Sequence, residues 1–473
     1  MKKQLRQLVI GIVIVSLLAG CMVGPKYRRP GAESPSVFRG DGDRAARTDP
    51  GSLADLKWFE VFKDEQLQEL IRTSLTNNYD LRQAVARVQA ARASLGVTRS
   101  EQFPNGTAGV DVTTLRNSSS GQFALPGGAS RDRTFGTVVL NLLSFELDIW
   151  GRLRHATEAA RADLLATEEN RKAVMTTVVG DVAAAYFNLL ELDLELETAS
   201  ETLATRQESL RLIRLRQQGG VATQLDVRQA EQLVYSAAQT IPDTERQIEQ
   251  TENQISLLLG KSPGEVRRGR LLTEQEQPPS VPPGLPSALL ERRPDLRAAE
   301  QNLIAANAVI GVAKAAYFPR ISLTGLLGFQ SNQLSSLFTG ATRTWQFVPE
   351  VTQPIFTAGR IKSNVRLAKA QQQLALAQYE MAIQTAFREV SDALVEYRKV
   401  KEIRAQQEAL VTTLQDRSRL AYLRYRGGVD TQLNALDADR DLFSAELSLA
   451  LTRRNELLAL VQLYKALGGG WQQ

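Results

Sequence analysis

The chain carries two copies of one sequence unit, and this duplication constrains its fold more than any other feature. Gly-Arg-Leu at 151–153 returns as Gly-Arg-Ile at 359–361, an offset of 359 − 151 = 208. Gly-Gly-Val-Ala-Thr-Gln-Leu at 219–225 returns as Gly-Gly-Val-Asp-Thr-Gln-Leu at 427–433, and 427 − 219 is again 208. Phe-Pro at 103–104 recurs at 318–319, an offset of 318 − 103 = 215. Ordered matches at a nearly constant offset indicate a tandem duplication of a unit of roughly 200 residues, too long for a solenoid repeat.

The N-terminus predicts a signal peptide. Three basic residues precede an apolar segment at 8–18 of signal-peptide length. The segment ends in Leu-Ala-Gly-Cys at 18–21, which resembles a bacterial lipoprotein signal. The resemblance implies cleavage before Cys21 and lipidation of its thiol. Met22 follows the cysteine where an aspartate would favour the inner membrane, so the resemblance also implies export to the outer membrane.

Composition narrows the classes of function. Cys21 is the only cysteine and His155 the only histidine, so no disulfide, cysteine- or histidine-based metal site, catalytic triad or cofactor site is expected. Lys and Arg total 57 against 52 Asp and Glu, without a basic block, so nucleic acid is not an expected partner. His155, beside two arginines, is predicted to be a solvated residue. After residue 21 no apolar run is expected to be long enough for a transmembrane helix, which leaves β-strands for any membrane crossing.

Each repeat predicts the order helix, strand, strand, helix, helix. The first repeat gives a helix at 76–102, strands at 105–115 and 133–149, and helices at 152–218 and 222–259. The second gives a helix at 295–317, strands at 321–329 and 344–355, and helices at 361–426 and 430–467. The predicted organisation is a signal peptide (1–20), a lipidated arm with an equatorial helix (21–75), the first repeat (76–259), a proline-rich linker (260–290), the second repeat (291–467) and a tail (468–473).

The last helix of each repeat carries a narrow seam of small and apolar residues. In the first repeat two series are spaced by seven: Val227, Val234, Ile241, Ile248 and Ile255, and Ala230, Ala237, Thr244, Thr251 and Leu258. The second repeat keeps small residues in the latter phase: Ala438, Ala445, Thr452, Ala459 and Ala466. This spacing predicts coiled-coil packing with closely approaching helices. Pro242 is expected to kink its helix.

The strands require more than one chain. Four strands of about ten residues could each cross a bilayer when tilted. Four cannot close a barrel, because the smallest closed barrels have about eight strands, and an open edge in lipid leaves backbone groups unpaired. The chain is therefore predicted to oligomerise. On the strand at 133–149, Glu146 and Asp148 have the spacing of a catalytic pair, but we interpret them as lining the lumen of a pore.

These features resemble the outer membrane factors of Gram-negative bacteria, the TolC-like channels, and within them the lipidated OprM/NodT-like branch. The resemblance rests on sequence segments in the order of the duplication: 18–21, 103–104 with 318–319, Asp-Ile-Trp-Gly-Arg at 148–152, Ala-Ala-Tyr-Phe at 184–187, Tyr-Arg-Gly-Gly-Val at 425–429, Leu-Asp-Ala at 436–438 and the C-terminal 464–471. It implies a mainly α protomer with a small β part. It further implies a homotrimer, with a 12-strand outer-membrane β-barrel continued by a 12-helix periplasmic tunnel.

The resemblance also implies a gate at the helix-to-helix turns, around Gly219-Gly220 and Gly427-Gly428, which would also contact the adaptor. Leu433 and Asp437 would form the narrowest ring. Asp226 and Tyr425 match positions that link neighbouring helices. Two departures from the family pattern are Asp430, where an arginine clasp is missing or reversed, and Asn434, which removes a second aspartate ring.

The function implied is a passive exit duct of a tripartite efflux system, without enzyme activity. Its partners would be an inner-membrane RND-type pump, a periplasmic adaptor and outer-membrane lipid. One alternative is the duct of a type I protein-secretion or metal-efflux system. The chain has only four methionines and one histidine, which disfavours a metal as the cargo. Another is a structural coiled-coil lipoprotein that tethers the envelope layers, which predicts no conductance.

Overall fold

The computed structural model describes residues 22–31, 35, 38–39, 52–118, 131–276, 284 and 286–472. Helices α1 (Trp58–Val61) and α2 (Glu65–Asn77) come first. The first repeat follows as α3 (Tyr79–Ser100), β1 (Asn105–Arg116), β2 (Asp132–Glu146), α4 (Arg152–Gln218) and α5 (Gln224–Leu258). A short helix, α6 (Pro286–Arg292), precedes the second repeat. That repeat comprises α7 (Pro294–Ala315), β3 (Arg320–Ser331), β4 (Arg343–Thr352), α8 (Arg360–Arg426) and α9 (Gln432–Ala466). The element order predicted from the duplication is confirmed.

The long helices match between the repeats in length. Helices α4 and α8 each span 67 residues, and α5 and α9 each span 35. At 1.5 Å per residue the longer pair would each extend about 100 Å. Contrary to the expectation above, one stretch of α4 is long and apolar enough to cross a membrane, but 67% of it is buried inside the protein. That burial is typical of a core helix.

The predicted seam is the packing surface of the shorter helices. In the first repeat Val227, Ala230 and Val234 of α5 form a buried cluster with Leu210 and Ile213 of α4. In the second, Ala445 and Leu449 of α9 cluster with Val411 of α8. Small residues such as Ala237, Ala438 and Ala459 are fully buried, which lets the helix backbones approach closely. Helix α5 continues through Pro242.

The four strands form one antiparallel sheet in the order β1-β2-β3-β4. Their registers and the alternation of side chains give the sheet two distinct faces. One face is mainly apolar: Val110, Val112, Val138, Leu140, Leu142, Leu323, Leu327, Phe329, Trp345, Phe347 and Val351. The other is mainly polar: Thr107, Asp111, Thr113, Thr137, Asn141, Glu146, Ser322, Thr324, Gln330, Gln346, Glu350 and Thr352. The apolar face is exposed in the protomer, with Val110 at 77% and Trp345 at 73%.

The side chains of β2 do not alternate strictly beyond Leu142. Leu142 lies opposite Gly325 but Phe145 lies opposite Leu323, so the register shifts by one residue. This is a β-bulge, in which one strand accommodates an extra residue. Phe145 therefore leaves the face of Asn141 and joins the face of Leu142. The strand ends at Glu146.

Two compact units divide the chain, and neither coincides with a repeat. One contains the described residues up to Pro30 with Val88–Thr167 and Ala299–Tyr379, and therefore the whole sheet. The other contains Glu168–Ala298 and Glu380–Gln473 together with the described residues between 31 and 87. Each unit draws on both repeats, so the duplication does not separate into two domains.

In the second unit a buried carboxylate holds three chain segments together. Asp64, 2% exposed, caps α2 by accepting hydrogen bonds from the backbone N–H groups of Gln66 and Leu67. It also accepts from the Tyr186 hydroxyl at 3.0 Å and from the Arg270 N–H at 2.9 Å. Burial alone would raise the pKa of Asp64, but these hydrogen bonds and one from the Gln275 side chain outweigh it and lower the pKa.

Candidate functional site

The helix-to-helix turns have the conformation that their glycines predict. Gly220 and Gly428 adopt positive φ angles of 75° and 71°, a region that glycine enters without steric cost. Beyond α4, the Val221 N–H donates to the Arg216 carbonyl at 2.8 Å. Beyond α8, the Val429 N–H donates to the Arg424 carbonyl at 3.1 Å. Both ends are Schellman caps, in which a glycine with a positive φ angle ends each long helix.

A glutamine missed by the sequence analysis joins the two turns. Gln432, 6% exposed, donates from its side-chain nitrogen to the Asp226 carbonyl at 3.2 Å and accepts from the Tyr425 hydroxyl at 3.3 Å. The Arg216 guanidinium lies 4.8 Å from the centre of the Tyr425 ring. The structure thus brings Asp226 and Tyr425 together through Gln432 rather than directly. The Thr-Gln-Leu motif occurs in both repeats, but the glutamine of the first repeat, Gln224, is exposed.

The Asp226 carboxylate has a local partner. It accepts from the Thr223 N–H at 2.7 Å and from the Thr223 hydroxyl at 2.8 Å, while the Asp226 N–H donates to the Thr223 hydroxyl oxygen. This is a capping box that starts α5. A role for Asp226 in a latch between helices remains a prediction.

The two departures from the family pattern contact each other. The Asn434 amide donates to the Asp430 carboxylate at 2.6 Å, and Arg424 donates to the same carboxylate at 2.9 Å. The hydrogen bond from Arg424, followed by that from Asn434, lowers the pKa of Asp430. The Asp430 carboxylate is therefore paired within the turn of the second repeat. Whether the family's clasp between helices is missing or reversed here stays a prediction.

The predicted ring residues lie on the first turns of α9. The Leu433 side chain is 47% exposed. The Asp437 carboxylate lies 3.2 Å from the Arg440 guanidinium one turn later and remains partly exposed. Their meeting at a threefold axis requires neighbouring protomers and stays a prediction.

A second feature missed by the sequence analysis is a buried ion pair beneath the turns. Arg206 of α4, 3% exposed, donates to the Asp439 carboxylate of α9 at 2.7 Å and to the Leu233 carbonyl of α5 at 3.0 Å. Its guanidinium also lies 4.8 Å from the centre of the Phe443 ring. Arg206 therefore connects three helices. No local pattern marks it, because its partners are distant in sequence.

The predicted lumen pair is separated by the structure. Glu146 ends β2 on the polar face, but it is 9% exposed and receives a bidentate contact from Arg152, at 2.8 Å for both bonds, and a third from Arg320 at 2.7 Å. Asp148 lies beyond the strand and accepts from the N–H groups of Leu153 and Arg154 at the start of α4. The prediction that they share a strand face is wrong, because the strand ends between them.

Cys21 lies outside the described residues, but the segment after it is held at the start of α4. The Val23 N–H donates to the Trp150 carbonyl at 3.1 Å, and Met22 packs against Gly151. His155 is 5% exposed rather than solvated. It is wedged against Gly24 and Gly311, where a Cβ on Gly311 would lie 2.3 Å from the imidazole ring.

Among the described residues no group of three or more His, Cys, Asp or Glu side chains could hold a metal ion.

Comparison with known proteins identifies the family. The sequence profile of the family described as "Outer membrane efflux protein" matches residues 70–261 and 285–469. The toluene efflux pump outer membrane protein TtgF of Pseudomonas putida is 39% identical over 471 residues, 98% of this chain and 96% of that protein. The outer membrane protein OprJ of Pseudomonas aeruginosa is 37% identical over 474 residues, 98% of this chain and 96% of that protein.

A solved channel structure is similar to this chain in both sequence and fold. The MtrE outer membrane channel of Neisseria gonorrhoeae, in its open state, is 34% identical, with a TM-score of 0.86 over 96% of this chain and 99% of that one. These matches support the efflux-channel interpretation over the secretion duct and the envelope tether. The chain therefore belongs to the outer membrane efflux protein family and is a channel protein of the outer membrane.

Proposed function

We propose that this protein is the passive exit duct of a tripartite efflux system and works as a homotrimer. The observation that carries the proposal is the two-faced sheet, whose edge strands β1 and β4 have no partner on their outer sides among the described strands. In lipid, the unpaired N–H and C=O groups of an open edge are strongly unfavourable. Three protomers would supply twelve strands and close the sheet, with the apolar face towards lipid and the polar face towards the lumen.

The cargo and partners follow from the relatives. Because the name of the Pseudomonas putida relative assigns it to a toluene efflux pump, we infer that this channel also carries small molecules, such as drugs or solvents. They would be delivered by an inner-membrane RND-type pump through a periplasmic adaptor. The adaptor would contact the turns at Gly219-Gly220 and Gly427-Gly428.

Conductance and mass together test the duct. The protein purified in mild detergent should have the mass of three chains and should give discrete ion-conducting steps in planar lipid bilayers. A trimer that never conducts would favour the envelope tether. A stable monomer in detergent would reject the closed barrel itself.

The gate is tested with a control that the duplication provides. We infer that Leu433 and Asp437 form the narrowest ring and that Asp437 attracts cations, because a carboxylate in a narrow channel concentrates potential. Asp437→Ala should raise single-channel conductance and lower cation selectivity. The corresponding residue of the first repeat is Gln229 (437 − 208 = 229), and Gln229→Ala should leave both properties unchanged. Equal behaviour of the two variants would contradict the ring.

Lipidation is tested by mass. We infer that Cys21 is the mature N-terminus, because the described chain from Met22 onwards is fixed at the strand-to-helix junction, where acyl chains could enter the membrane beside the barrel. The intact mass should show cleavage before Cys21 with added acyl chains. A mature protein that lacks acyl mass would contradict this.

A further inference from the structure

The apolar face of the sheet carries charged side chains only at the end remote from the long helices. Among the described strand residues, those side chains are Arg116, Asp132 and Arg343. Arg116 and Asp132 lie opposite each other on β1 and β2, with 3.6 Å between the guanidinium and the carboxylate. Arg343, the first residue of β4, is exposed, and its side chain has no hydrogen-bond or ion-pair partner among the described residues. An unpaired cation therefore lies on a mainly apolar surface.

Aromatic rings flank this arginine on the same face. Phe329 of β3 lies directly opposite Arg343, and Trp345 is two residues further along β4 and exposed. Side chains in such positions are close enough to contact one another. Phe338, in the loop between β3 and β4, contacts Phe329 with ring centres 5.6 Å apart and is 70% exposed. Aromatic rings are typical of the level at which lipid chains meet the headgroups.

The loop between β3 and β4 is fixed over this end of the apolar face. Leu337 is buried, and a Cβ on Gly136 of β2 would lie 4.0 Å from the leucine side chain. The Thr342 hydroxyl donates to the Leu337 carbonyl at 2.6 Å. Because Leu337 is anchored in this way, the next residue, Phe338, is held beside β3. Arg343 therefore has fixed aromatic neighbours before any ligand binds.

We propose that Arg343, with Phe329, Phe338 and Trp345, forms a rim site that binds the phosphorylated headgroup of a glycolipid in the outer leaflet of the outer membrane. The proposal rests on the duct proposed above, in which the apolar face meets lipid. Since the long helices of that duct lie in the periplasm, the end of the sheet remote from them lies at the outer leaflet.

Charge and shape identify the occupant. A charged side chain on the lipid-facing surface of a barrel is unfavourable in proportion to its depth, so Arg343 requires an anion or water. A guanidinium presents paired N–H donors that match the oxygens of a phosphate. The main lipid of the outer leaflet is lipid A, a sugar unit that carries phosphates and acyl chains. Its phosphate would bind Arg343, while Trp345 and Phe338 would pack against the sugar and the acyl chains.

The opposite face of the sheet provides a matched control. Arg133 of β2 lies at the same end of the sheet but belongs to the polar face, four residues before Thr137. It is exposed, and its side chain likewise has no partner among the described residues. Replacing either arginine by glutamine removes one positive charge, but only Arg343 lies on the surface that meets lipid.

Native mass spectrometry of the full-length protein in detergent counts the bound lipid A molecules. We expect one molecule per chain and at least about tenfold weaker binding of lipid A from which the phosphates have been removed, because hydrogen bonds between charged groups are lost. Arg343→Gln should lower the affinity for lipid A by a similar factor, and Arg133→Gln should leave it unchanged. Arg343→Lys keeps the charge without the paired donors, so its affinity should lie between the two.

Three results would overturn the rim site. Equally tight binding of lipid A without phosphates would show that only apolar contacts hold the lipid. Equal affinities of Arg343→Gln and Arg133→Gln would show that Arg343 reaches only water. If phosphatidylglycerol or inorganic phosphate displaces lipid A at equal concentration, the assignment to the glycolipid of the outer leaflet is wrong.

Failure of the rim site is distinguishable from failure of the duct. The mass and the bilayer conductance of the wild type and of Arg343→Gln are measured on the same samples. A conducting trimer whose binding of lipid A does not depend on Arg343 overturns the rim site and leaves the duct standing. A wild-type protein that is a monomer in detergent would overturn both, because the lipid-facing surface would then be lost.

Discussion

The two strand-to-helix junctions show how one sequence unit meets two environments. From Leu143 to Gly151 the first repeat takes 151 − 143 = 8 residue steps, whereas from Thr352 to Gly359 the second takes 359 − 352 = 7. The extra residue is the β-bulge of β2. Where the first repeat has a half-buried Trp150 stacked on Phe318, the second has Ala358 and an exposed Ile355-Phe356 pair. The two copies of the unit therefore diverge where one junction packs on its own chain and the other is exposed in the protomer.

The ion pair of Arg206 with Asp439 is buried and has no counterpart at Leu414 in the second repeat, and removing it should have the largest effect. The corresponding residue of the second repeat is Leu414 (206 + 208 = 414). Arg206→Leu would leave the Asp439 carboxylate buried without its partner, at a cost of about 3–5 kcal/mol. We expect a clear fall in the midpoint of thermal unfolding of the detergent-purified protein.

The corresponding ion pair between α4 and α5 provides a control in which the arginine is exposed. Glu231 corresponds to Asp439 (439 − 208 = 231), and its partner Arg214 is 53% exposed. Arg214→Leu should cost less than about 1 kcal/mol, because Arg214 is exposed and Glu231 keeps a second partner, Arg228, at 2.6 Å. The double variant Arg206→Leu/Asp439→Leu should recover much of the loss. An Arg206→Leu protein as stable as the wild type would show that the tie is not a stabilising difference.

Trp150 tests whether the first junction depends on its intrachain cover. Trp150→Ala gives this junction the alanine that the second repeat has at 358 and removes both the stacking on Phe318 and the indole hydrogen bond. The expected loss of stability is about 2 kcal/mol, below that of a fully buried aromatic residue, measured by thermal unfolding. Trp150→Phe keeps a ring and should lose less. Equal losses would mean that stacking contributes nothing.

Tyr186 tests a pH dependence confined to one repeat, since its counterpart is Leu394 (186 + 208 = 394). Because the pKa of Asp64 is lowered in the folded protein, its stabilisation is present above the ordinary value of about 3.9 and is lost as the pH falls through the lowered value. Tyr186→Phe removes one hydrogen bond to this carboxylate and costs about 1–2 kcal/mol at pH 7. Its stability should fall less than that of the wild type on acidification. Parallel unfolding profiles against pH would contradict this.

The glutamines of the two turns should show the smallest effect. Gln432→Ala removes the link between the Asp226 carbonyl and the Tyr425 hydroxyl, at about 1 kcal/mol. Gln224→Ala changes the same motif in the first repeat, where the side chain is exposed, and should be neutral. If the gate depends on this link, only Gln432→Ala should also raise the open probability in bilayers.

Much of the fold was predictable, because it is encoded locally. The bounds of α4 and α8, the glycine caps at Gly220 and Gly428 and the seam of α5 follow from proline-free runs, turn glycines and sevenfold spacing, each of which acts over a few residues. The membership of the family also followed from the ordered motifs. The candidate site was predicted less completely, because Gln432 and Arg206 bind partners that are distant in sequence.

The duplication, the order of the elements within each repeat and the bounds of the long helices α4 and α8 followed from the amino-acid sequence alone. Contacts between distant segments set the remaining features: the bulge breaks the alternation of β2, Asp148 caps a helix while Glu146 is held by two arginines, and His155 is buried against two glycines. The same kind of contact makes Gln432, and not Gln224, join the turns. The physical reason is that helix and turn propensities act between near neighbours along the chain. Burial, ion pairing and register depend on which distant segments folding brings into contact.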